Sequence, residues 1–328
     1  MAEANLYQDD SCVLDYTPSA AVTGGEVVQL ADGRAAVIPV DLASGAKGAA
    51  QAEGVYEVTK AANLVWIQGG PIWWDHSANA ATPNEPTGAG DRDFYLGTAY
   101  DDELAATTTA KVCLNVKPQY IIDSVSDNGD SVIVKTVVGS ATVEVPQIYN
   151  RGGMLFMQFG TTAEAQKVDW LSDRSFAVGA NWVAEILFEL VTAGDAAAVD
   201  IDVGVASGTH ATDFEAVTSL AAFHLDGDDL NIDAHSDDGT TDKAPTDTTI
   251  DIVAGTAIRF TLDGRDLTNV KYYINGAEVL AAEADLGTLT AAAGPLHAII
   301  HAEKTSDDSP LAFRARIRVR TMQEDAQA

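Results

Sequence analysis

Two glutamates at strand spacing could support acid/base chemistry. Glu185 and Glu189 lie four residues apart in the stretch AEILFEL, and apolar residues occupy alternate positions. Because successive side chains of a strand point to opposite faces, both carboxylates are predicted on one face. Two carboxylates that line a groove can act as nucleophile and acid/base of a retaining glycosidase. Glu185 and Glu189 are therefore candidate glycan-groove carboxylates.

The spacing of this pair favours a solvated acidic strand face over catalysis. The stretch resembles the catalytic strand of laminarinase-like glycoside hydrolases, which carry Glu-x-Asp-x-Glu, but Leu187 occupies the middle position. Residues four apart on a regular strand are separated by about 13 Å of rise, whereas retaining enzymes hold their carboxyl groups about 5 Å apart. We therefore predict that the protein is not an enzyme.

A second acidic stretch raises the question of calcium binding. Residues 224–239, HLDGDDLNIDAHSDDG, concentrate acidic side chains between Asp226 and Asp233. An EF-hand loop needs an oxygen ligand at its fifth position, but counted from Asp226 that position is Leu230. An acidic turn between strands is favoured, and a looser calcium site built from loops stays open as the alternative.

The histidines show no metal-binding spacing. His297 and His301 would be neighbours on a helix, but on a strand they are about 13 Å apart. His224 and His235 have no partner at a spacing that indicates a shared ligand. Phosphate-loop, nucleophile-elbow and dinucleotide-binding glycine motifs are also absent from the sequence. The sequence therefore predicts no metal site and no cofactor.

Four arginines near the end of the chain follow the period of a strand. The stretch LAFRARIRVRT, residues 311–321, alternates arginines with apolar residues, which predicts one charged face and one packed face. We predict that these arginines pair across strands with the face that bears Glu185 and Glu189, and the alternative is pairing between subunits of a trimer. The arginines are Arg314, Arg316, Arg318 and Arg320.

Charge and composition exclude several classes of protein. The chain has 49 acidic and 19 basic residues, with a formal charge of −30, so phosphate repulsion argues against nucleic acid as a partner. No apolar run approaches the roughly 20 residues that span a bilayer, and the N-terminus lacks an apolar signal segment. We expect cytoplasmic synthesis, no membrane contact, and reduced Cys12 and Cys113.

Residue usage predicts an all-β protein with little helix, because Val, Thr, Ala, Gly and Asp dominate and turn dipeptides recur. We predict a small N-terminal β-barrel domain at 1–117, a strand-rich connector at 118–150 and a jelly-roll β-sandwich at 151–328. Asp32-Gly33, Asn128-Gly129 and Asn275-Gly276 predict hairpin turns. The composition of residues 76–93 predicts a long exposed loop, and residues 281–294 are predicted to form one helical turn. Strands of the sandwich are predicted at 181–191, 198–205, 220–233, 249–262, 269–280, 296–303 and 311–321.

Four segments in the first third of the chain, taken in their order along the sequence, resemble a family of phage capsid decoration, cement or head-fibre proteins. The matching pieces are Gly54 to Glu57, Trp66 to Asp75, Leu96-Gly97 and Val112 to Leu114. The resemblance implies a small β-barrel on the outside of a tailed-phage head, often a trimer, that clamps neighbouring major capsid subunits. In the C-terminal half, DGRDLTNVKYYINGAEV resembles the strand–turn–strand of concanavalin/laminin-G-like sandwiches.

These resemblances imply a structural virion protein that decorates the capsid surface. Its implied partners are the major capsid protein, further copies in a homotrimer, and surface glycans bound by an outward sandwich. The alternative is a carbohydrate-binding or glycan-cleaving sandwich protein. The candidate interface residues are three tryptophans, Trp66, Trp73 and Trp74, together with the four arginines of residues 311–321. The other interpretation of the tryptophans is that they fill the barrel core.

Overall fold

Short alternating segments bounded by Gly, Asn and Asp form strands in both halves of the chain. The computed structural model describes residues 4–8, 12–85, 92–124, 133–147, 153–211, 213–283 and 286–322. Within these ranges one three-residue 3-10 helix accompanies the strands, so the predicted all-β class is confirmed. The chain divides into two compact units, Met1–Gln119 with Asn275–Ala277 and Tyr120–Ile274 with Glu278–Ala328.

The first unit contains a small barrel. Its six-stranded sheet has the order β1-β6-β10-β9-β7-β8. A parallel bridge between Lys60, just after β6, and Ala81 of β8 brings the far strand back to β6 and closes the barrel. A four-stranded sheet, β2-β5-β4-β3, accompanies it. The strands are β1 (Ala4–Gln8), β2 (Val13–Tyr16), β3 (Val27–Gln29), β4 (Ala35–Val37), β5 (Gly48–Gln51), β6 (Val55–Thr59), β7 (Pro71–Asp75), β8 (Ala80–Thr82), β9 (Phe94–Ala99) and β10 (Thr109–Leu114).

Two of the predicted hairpin turns are present. Asp32-Gly33 joins β3 to β4. Asn275 and Gly276 have φ values of 49° and 80°, the left-handed pair that a tight hairpin turn requires. Asn128-Gly129 lies outside the described residues. The predicted loop at 76–93 is wrong in part, because Ala80–Thr82 pairs with β7, and residues 86–91 lie outside the described ranges.

The second unit is a sandwich of two antiparallel sheets. One has the order β13-β14-β25-β16-β21-β22-β23, with β11 paired to β25, and the other the order β12-β15-β24-β17-β18-β19-β20. The strands are β11 (Ile122–Asp123), β12 (Ile133–Val138), β13 (Thr142–Gln147), β14 (Met154–Phe159), β15 (Glu164–Ala177), β16 (Trp182–Thr192), β17 (Val199–Ala206), β18 (Leu220–Asp226), β19 (Asp229–Asp237), β20 (Asp242–Asp251), β21 (Ala257–Gly264), β22 (Lys271–Ile274), β23 (Ala277–Val279), β24 (Pro295–Asp307) and β25 (Leu311–Thr321).

Apolar side chains from both sheets meet in one buried core. Phe223 of β18 stacks on Phe260 of β21 with 4.4 Å between ring centroids, which ties the two sheets together. Burying a large apolar side chain contributes about 1.5–3 kcal/mol. The alternate side chains of the same strands point away from this core, and they form the two outer faces of the sandwich.

The sandwich differs from the sequence prediction in its strand boundaries. The strand predicted at 220–233 is two strands, β18 and β19, because the chain turns at Gly227 with φ 42°. The long strand β15 was not predicted, and most of β20 lies between the strands predicted at 220–233 and 249–262. The helical turn predicted at 281–294 is absent from the described part of that segment. No helix among the described residues is long and apolar enough to cross a membrane.

Candidate functional site on the seven-stranded sheet

The outer face of the seven-stranded sheet carries histidines and aspartates on five neighbouring strands. They occupy alternate positions, so the residues between them point into the core. Strand register places Asp202 of β17 opposite His224 of β18 and opposite His301 of β24. The set comprises Asp169 of β15, Asp200 and Asp202 of β17, His224 and Asp226 of β18, Asp233 and His235 of β19, and His301 of β24.

Asp202 is the centre of this cluster. Asp202 is only 1% exposed, and its Oδ1 lies 2.9 Å from Nδ1 of His224 and 3.1 Å from Nε2 of His235. Burial alone would raise the pKa of the carboxyl group, but the charge of His224 outweighs burial and holds the pKa below its usual range. Asp202 is therefore a buried carboxylate that two imidazole rings share.

His224 bridges two carboxylates. Its second ring nitrogen, Nε2, lies 2.7 Å from Oδ1 of Asp226. Burial disfavours the charged ring, yet Asp202 and Asp226 together raise the pKa of His224 to about 11. At neutral pH the ring is an imidazolium that donates a hydrogen bond from each nitrogen, and so its orientation is fixed from both sides.

Asp200 and Asp226 form a carboxyl pair beside this ring. They lie directly opposite each other on β17 and β18. Burial and a hydrogen bond with Asp226 raise the pKa of Asp200 to about 7, whereas the hydrogen bond from His224 lowers the pKa of Asp226. Near neutral pH one carboxyl group donates a hydrogen bond and the other accepts it. Such a pair can transfer a proton or bind a cation.

His301 forms a second buried pair next to Asp202. Its Nδ1 lies 2.7 Å from Oδ1 of Asp169. Burial disfavours the charge, but the hydrogen bond that the ring donates to Asp169 raises the pKa of His301 to about 9. Phe214, from the 3-10 helix Phe214–Ala216, stacks on the ring with 5.2 Å between centroids and an interplanar angle of 16°. The Phe214 ring therefore covers the His301 end of the cluster.

The glutamates predicted from the sequence lie on the other sheet of the sandwich. Glu185 is 7% exposed, its Oε1 lies 3.1 Å from Nη2 of Arg259 and 3.4 Å from Nη2 of Arg320, and the Tyr120 hydroxyl donates to its Oε2 at 2.6 Å. Burial opposes ionisation, but the two arginines hold the pKa of Glu185 below its usual range. The prediction of a solvated acidic face is therefore wrong, because Glu185 is the buried acceptor of an ion-pair network.

The arginine face pairs inside the sandwich, as predicted. Strand register sets Glu189 opposite Arg314, and Nη1 of that arginine lies 3.2 Å from the Glu189 carboxylate. Nε of Arg318 lies 2.8 Å from Oδ2 of Asp123 on β11. Arg316 and Arg320 are buried residues, so little of their surface is open to another subunit. This burial corrects the interface hypothesis for Arg316 and Arg320.

The tryptophans have different surroundings in the first unit. Trp66 and Trp74 are 0% exposed and belong to the barrel core, which corrects the hypothesis that they anchor an interface. Trp73 is half-buried and packs edge-on against Tyr95, with 5.8 Å between ring centroids. Of the three, Trp73 is the one whose side chain keeps surface to offer a partner.

Sequence reasoning missed the cluster around Asp202. His224 and His235 were judged as isolated residues, although each lies two positions from an aspartate on its own strand. The available signal was this period-two alternation of acids and histidines in segments already predicted as strands. The meeting of three strands around Asp202 depends on strand order, which the sequence did not supply.

Comparison with known protein families found a match in the first third of the chain. Residues 7–114 match the phage cement protein family. This cement-like segment spans both sheets of the first unit, from within β1 to the end of β10. The match supports a structural role in a phage particle. No curated protein matches the chain.

Solved structures similar to the chain are β-sandwich proteins. One comes from work on mucin-degrading O-glycanases of the human gut microbiota, with 12% identity, a TM-score of 0.41, and coverage of 62% of this chain and 100% of that one. Another is a carbohydrate esterase from a Shiga toxin-encoding bacteriophage, with 12% identity, a TM-score of 0.39, and coverage of 62% and 99%. A third is the carbohydrate recognition domain of Emp46p, with 12% identity, a TM-score of 0.34, and coverage of 55% and 87%. At these scores the likeness carries no functional information.

Proposed function

We propose that the protein decorates the outer surface of a tailed-phage capsid, where its first unit docks on the major capsid protein. The observation that carries this proposal is the match of residues 7–114 to the phage cement family. Because the matched segment coincides with the first unit of the fold, docking is assigned to that unit. Bridging of neighbouring capsid subunits and assembly as a homotrimer are part of the proposal.

Exposed apolar side chains on the first unit support docking. Leu104 is 74% exposed, and Val13, Val40 and Val116 are also exposed. Single exposed apolar residues are common on soluble proteins, but a capsid lattice repeats each weak contact many times. Symmetric copies of the chain multiply those contacts through avidity. A modest apolar contact at each capsid subunit is therefore sufficient for stable decoration.

The test mixes the purified full chain with undecorated phage heads at physiological salt. We expect saturable binding by co-sedimentation, with added density that repeats with the capsid lattice by electron cryomicroscopy. Leu104→Ser should weaken binding, and the matched control Leu230→Ser, at an exposed leucine of the sandwich, should leave binding unchanged. Absence of saturable binding by the wild-type chain would falsify the proposal.

The alternative function is binding or cleavage of a carbohydrate by the sandwich. The observation that favours it is the partly exposed carboxyl pair of Asp200 and Asp226, because such a pair supplies an acid and a base near neutral pH. Binding of the full chain to bacterial surface polysaccharides, with release of reducing ends as the readout of cleavage, tests this function. Loss of reducing-end release in Asp200→Asn with retained capsid binding would assign separate functions to the two units.

A further inference from the structure

Capsid decoration by the first unit makes no use of the buried cluster on the seven-stranded sheet. Three side chains at its edge have ligand atoms that all lie within 4.8 Å of one another: a carboxylate oxygen of Asp200, a ring nitrogen of His224 and a carboxylate oxygen of Asp226. We propose that Asp200, His224 and Asp226 bind a divalent transition-metal cation, with Zn²⁺ as the ion best matched to the site. The ion takes the place of the proton on Nε2 of His224 and of the proton between the two carboxyl groups, and both protons are released to solvent.

Strand geometry brings the three ligands together without a special loop. Asp200 and Asp226 are directly opposite on the antiparallel strands β17 and β18, and His224 shares the outer face of β18 with Asp226. Directly opposite residues of an antiparallel pair have Cβ atoms about 4.5–5.5 Å apart, a distance that one cation can bridge. The site is therefore fixed by sheet register.

Asp202 orients the imidazole toward the two carboxylates. Its buried Oδ1 lies 2.9 Å from Nδ1 of His224, so Nε2 is the nitrogen that faces Asp226. Metal-binding histidines in proteins usually have their other ring nitrogen hydrogen-bonded to a carboxylate, which fixes the ring and raises its basicity. Asp202 is placed to be this positioning residue and makes no contact with the ion itself.

A second observation, which is independent of the ligand spacing, is the excess of carboxylates around the site. Asp233 lies directly across from His224 on β19, and its Oδ1 is buried with no hydrogen-bond partner among the described residues. Asp226 also faces Asp229 across the same strand pair. Like charges directly opposite each other destabilise a sheet, and an unpaired buried carboxylate oxygen costs free energy. A cation bound by Asp200 and Asp226 would offset part of the repulsion among these carboxylates.

The donor set selects the class of cation. Ca²⁺ and Mg²⁺ prefer sites made only of oxygen ligands, whereas imidazole nitrogen suits Zn²⁺ and its neighbours in the transition series. Three protein ligands leave positions for water or for an oxygen of another molecule. The Asp226 side chain is 44% exposed, so an ion can reach the site from solvent.

The test measures metal binding by the full chain after treatment with a chelator. Isothermal titration calorimetry and equilibrium dialysis with Zn²⁺ should give one ion per chain, with much weaker binding of Ca²⁺ and Mg²⁺. Asp200→Asn and Asp226→Asn should each lower the Zn²⁺ affinity at least tenfold. The matched control Asp251→Asn removes an exposed carboxylate from the same sheet and should leave the affinity unchanged.

Two further measurements identify the ligands. Co²⁺ in place of Zn²⁺ should give an absorption spectrum without a thiolate charge-transfer band, which excludes Cys12 and Cys113 as ligands. Asp202→Asn should weaken Zn²⁺ binding by about 10- to 100-fold, because a metal-binding histidine that loses its hydrogen-bonded carboxylate binds the ion less tightly. Circular dichroism should confirm that the variant folds. Failure of the wild-type chain to bind Zn²⁺, preference for Ca²⁺, or equal binding by Asp226→Asn overturns the proposal. Capsid binding is a separate measurement, so either proposal can fail alone.

Discussion

Glu185 of β16 and Arg320 of β25 form an ion pair, with 3.4 Å between Oε1 and Nη2, at a place where both residues are almost fully buried. Arg259 approaches the same oxygen from β21 on the other side. One carboxylate therefore joins three adjacent strands of the eight-stranded sheet. The hydroxyl group of Tyr120 donates a hydrogen bond to the other oxygen of this carboxylate.

Replacement of Glu185 by Gln should destabilise the sandwich by about 3–5 kcal/mol, because it leaves two buried arginine charges without their carboxylate. The measurement is the free energy of unfolding in urea. Glu283→Gln is the control, since Glu283 forms an exposed ion pair with Lys243 and should change stability by less than about 1 kcal/mol. Equal, small effects of the two substitutions would show that the buried network adds no stability.

The pair of His301 and Asp169 should make stability depend on pH. The pKa of His301 is about 9 in the folded chain and about 6.5 in an unfolded chain, so its stabilisation is complete below pH 6.5. This stabilisation is then lost as the pH rises through 9. Asp202 and Glu303 also face His301 and raise its pKa, and Phe214 shields the ring.

The check compares thermal unfolding of the wild-type chain and His301→Gln between pH 6 and pH 10. The stability difference between them should shrink as the pH rises, since the variant has no charge to lose at this position. A difference that is constant across this range would contradict the assigned role of Asp169. Asp307→Asn, at a half-buried acidic residue of β24, is the control.

Adjacent tryptophans of β7 should respond in opposite ways to truncation. Trp74→Ala removes a fully buried ring from the barrel core and should destabilise the first unit by about 3–5 kcal/mol. Trp73→Ala should leave the first unit folded and reduce binding to undecorated heads, because part of the ring is accessible. Circular dichroism and co-sedimentation with heads measure the two effects. Unchanged head binding by a folded Trp73→Ala chain would remove Trp73 from the interface.

Local sequence was sufficient for the strands with a clear period of two. In β25 the alternation of arginine and apolar residues predicts its two faces, and Phe313 and Ile317 do belong to the sandwich core. Hairpin chemistry at Asn275-Gly276 was equally informative, because few residues other than Asn and Gly adopt positive φ in a tight turn. β15 was not predicted, since polar residues occupy several of its positions and interrupt the hydrophobic pattern.

Burial of the charged faces could not be predicted from the same alternation. A charged strand face is usually solvated, so Glu185 was expected in water and is instead enclosed by Tyr120 and two arginines. Those partners come from residues 120, 259 and 320, and nothing local links them. Their meeting depends on the strand order of the sheet.

Alternation in the sequence was enough to assign the residues that share a face of each strand, because alternation is a property of the extended backbone and needs no neighbouring strand. The sequence also determined the all-β class and the resemblance of the first third to phage cement proteins. The pairing of His224 with Asp202 and of Asp200 with Asp226 could be found only from the folded chain. Strand order and register are set by long-range packing of the core, and one residue of slip would move every one of these side chains to the opposite face.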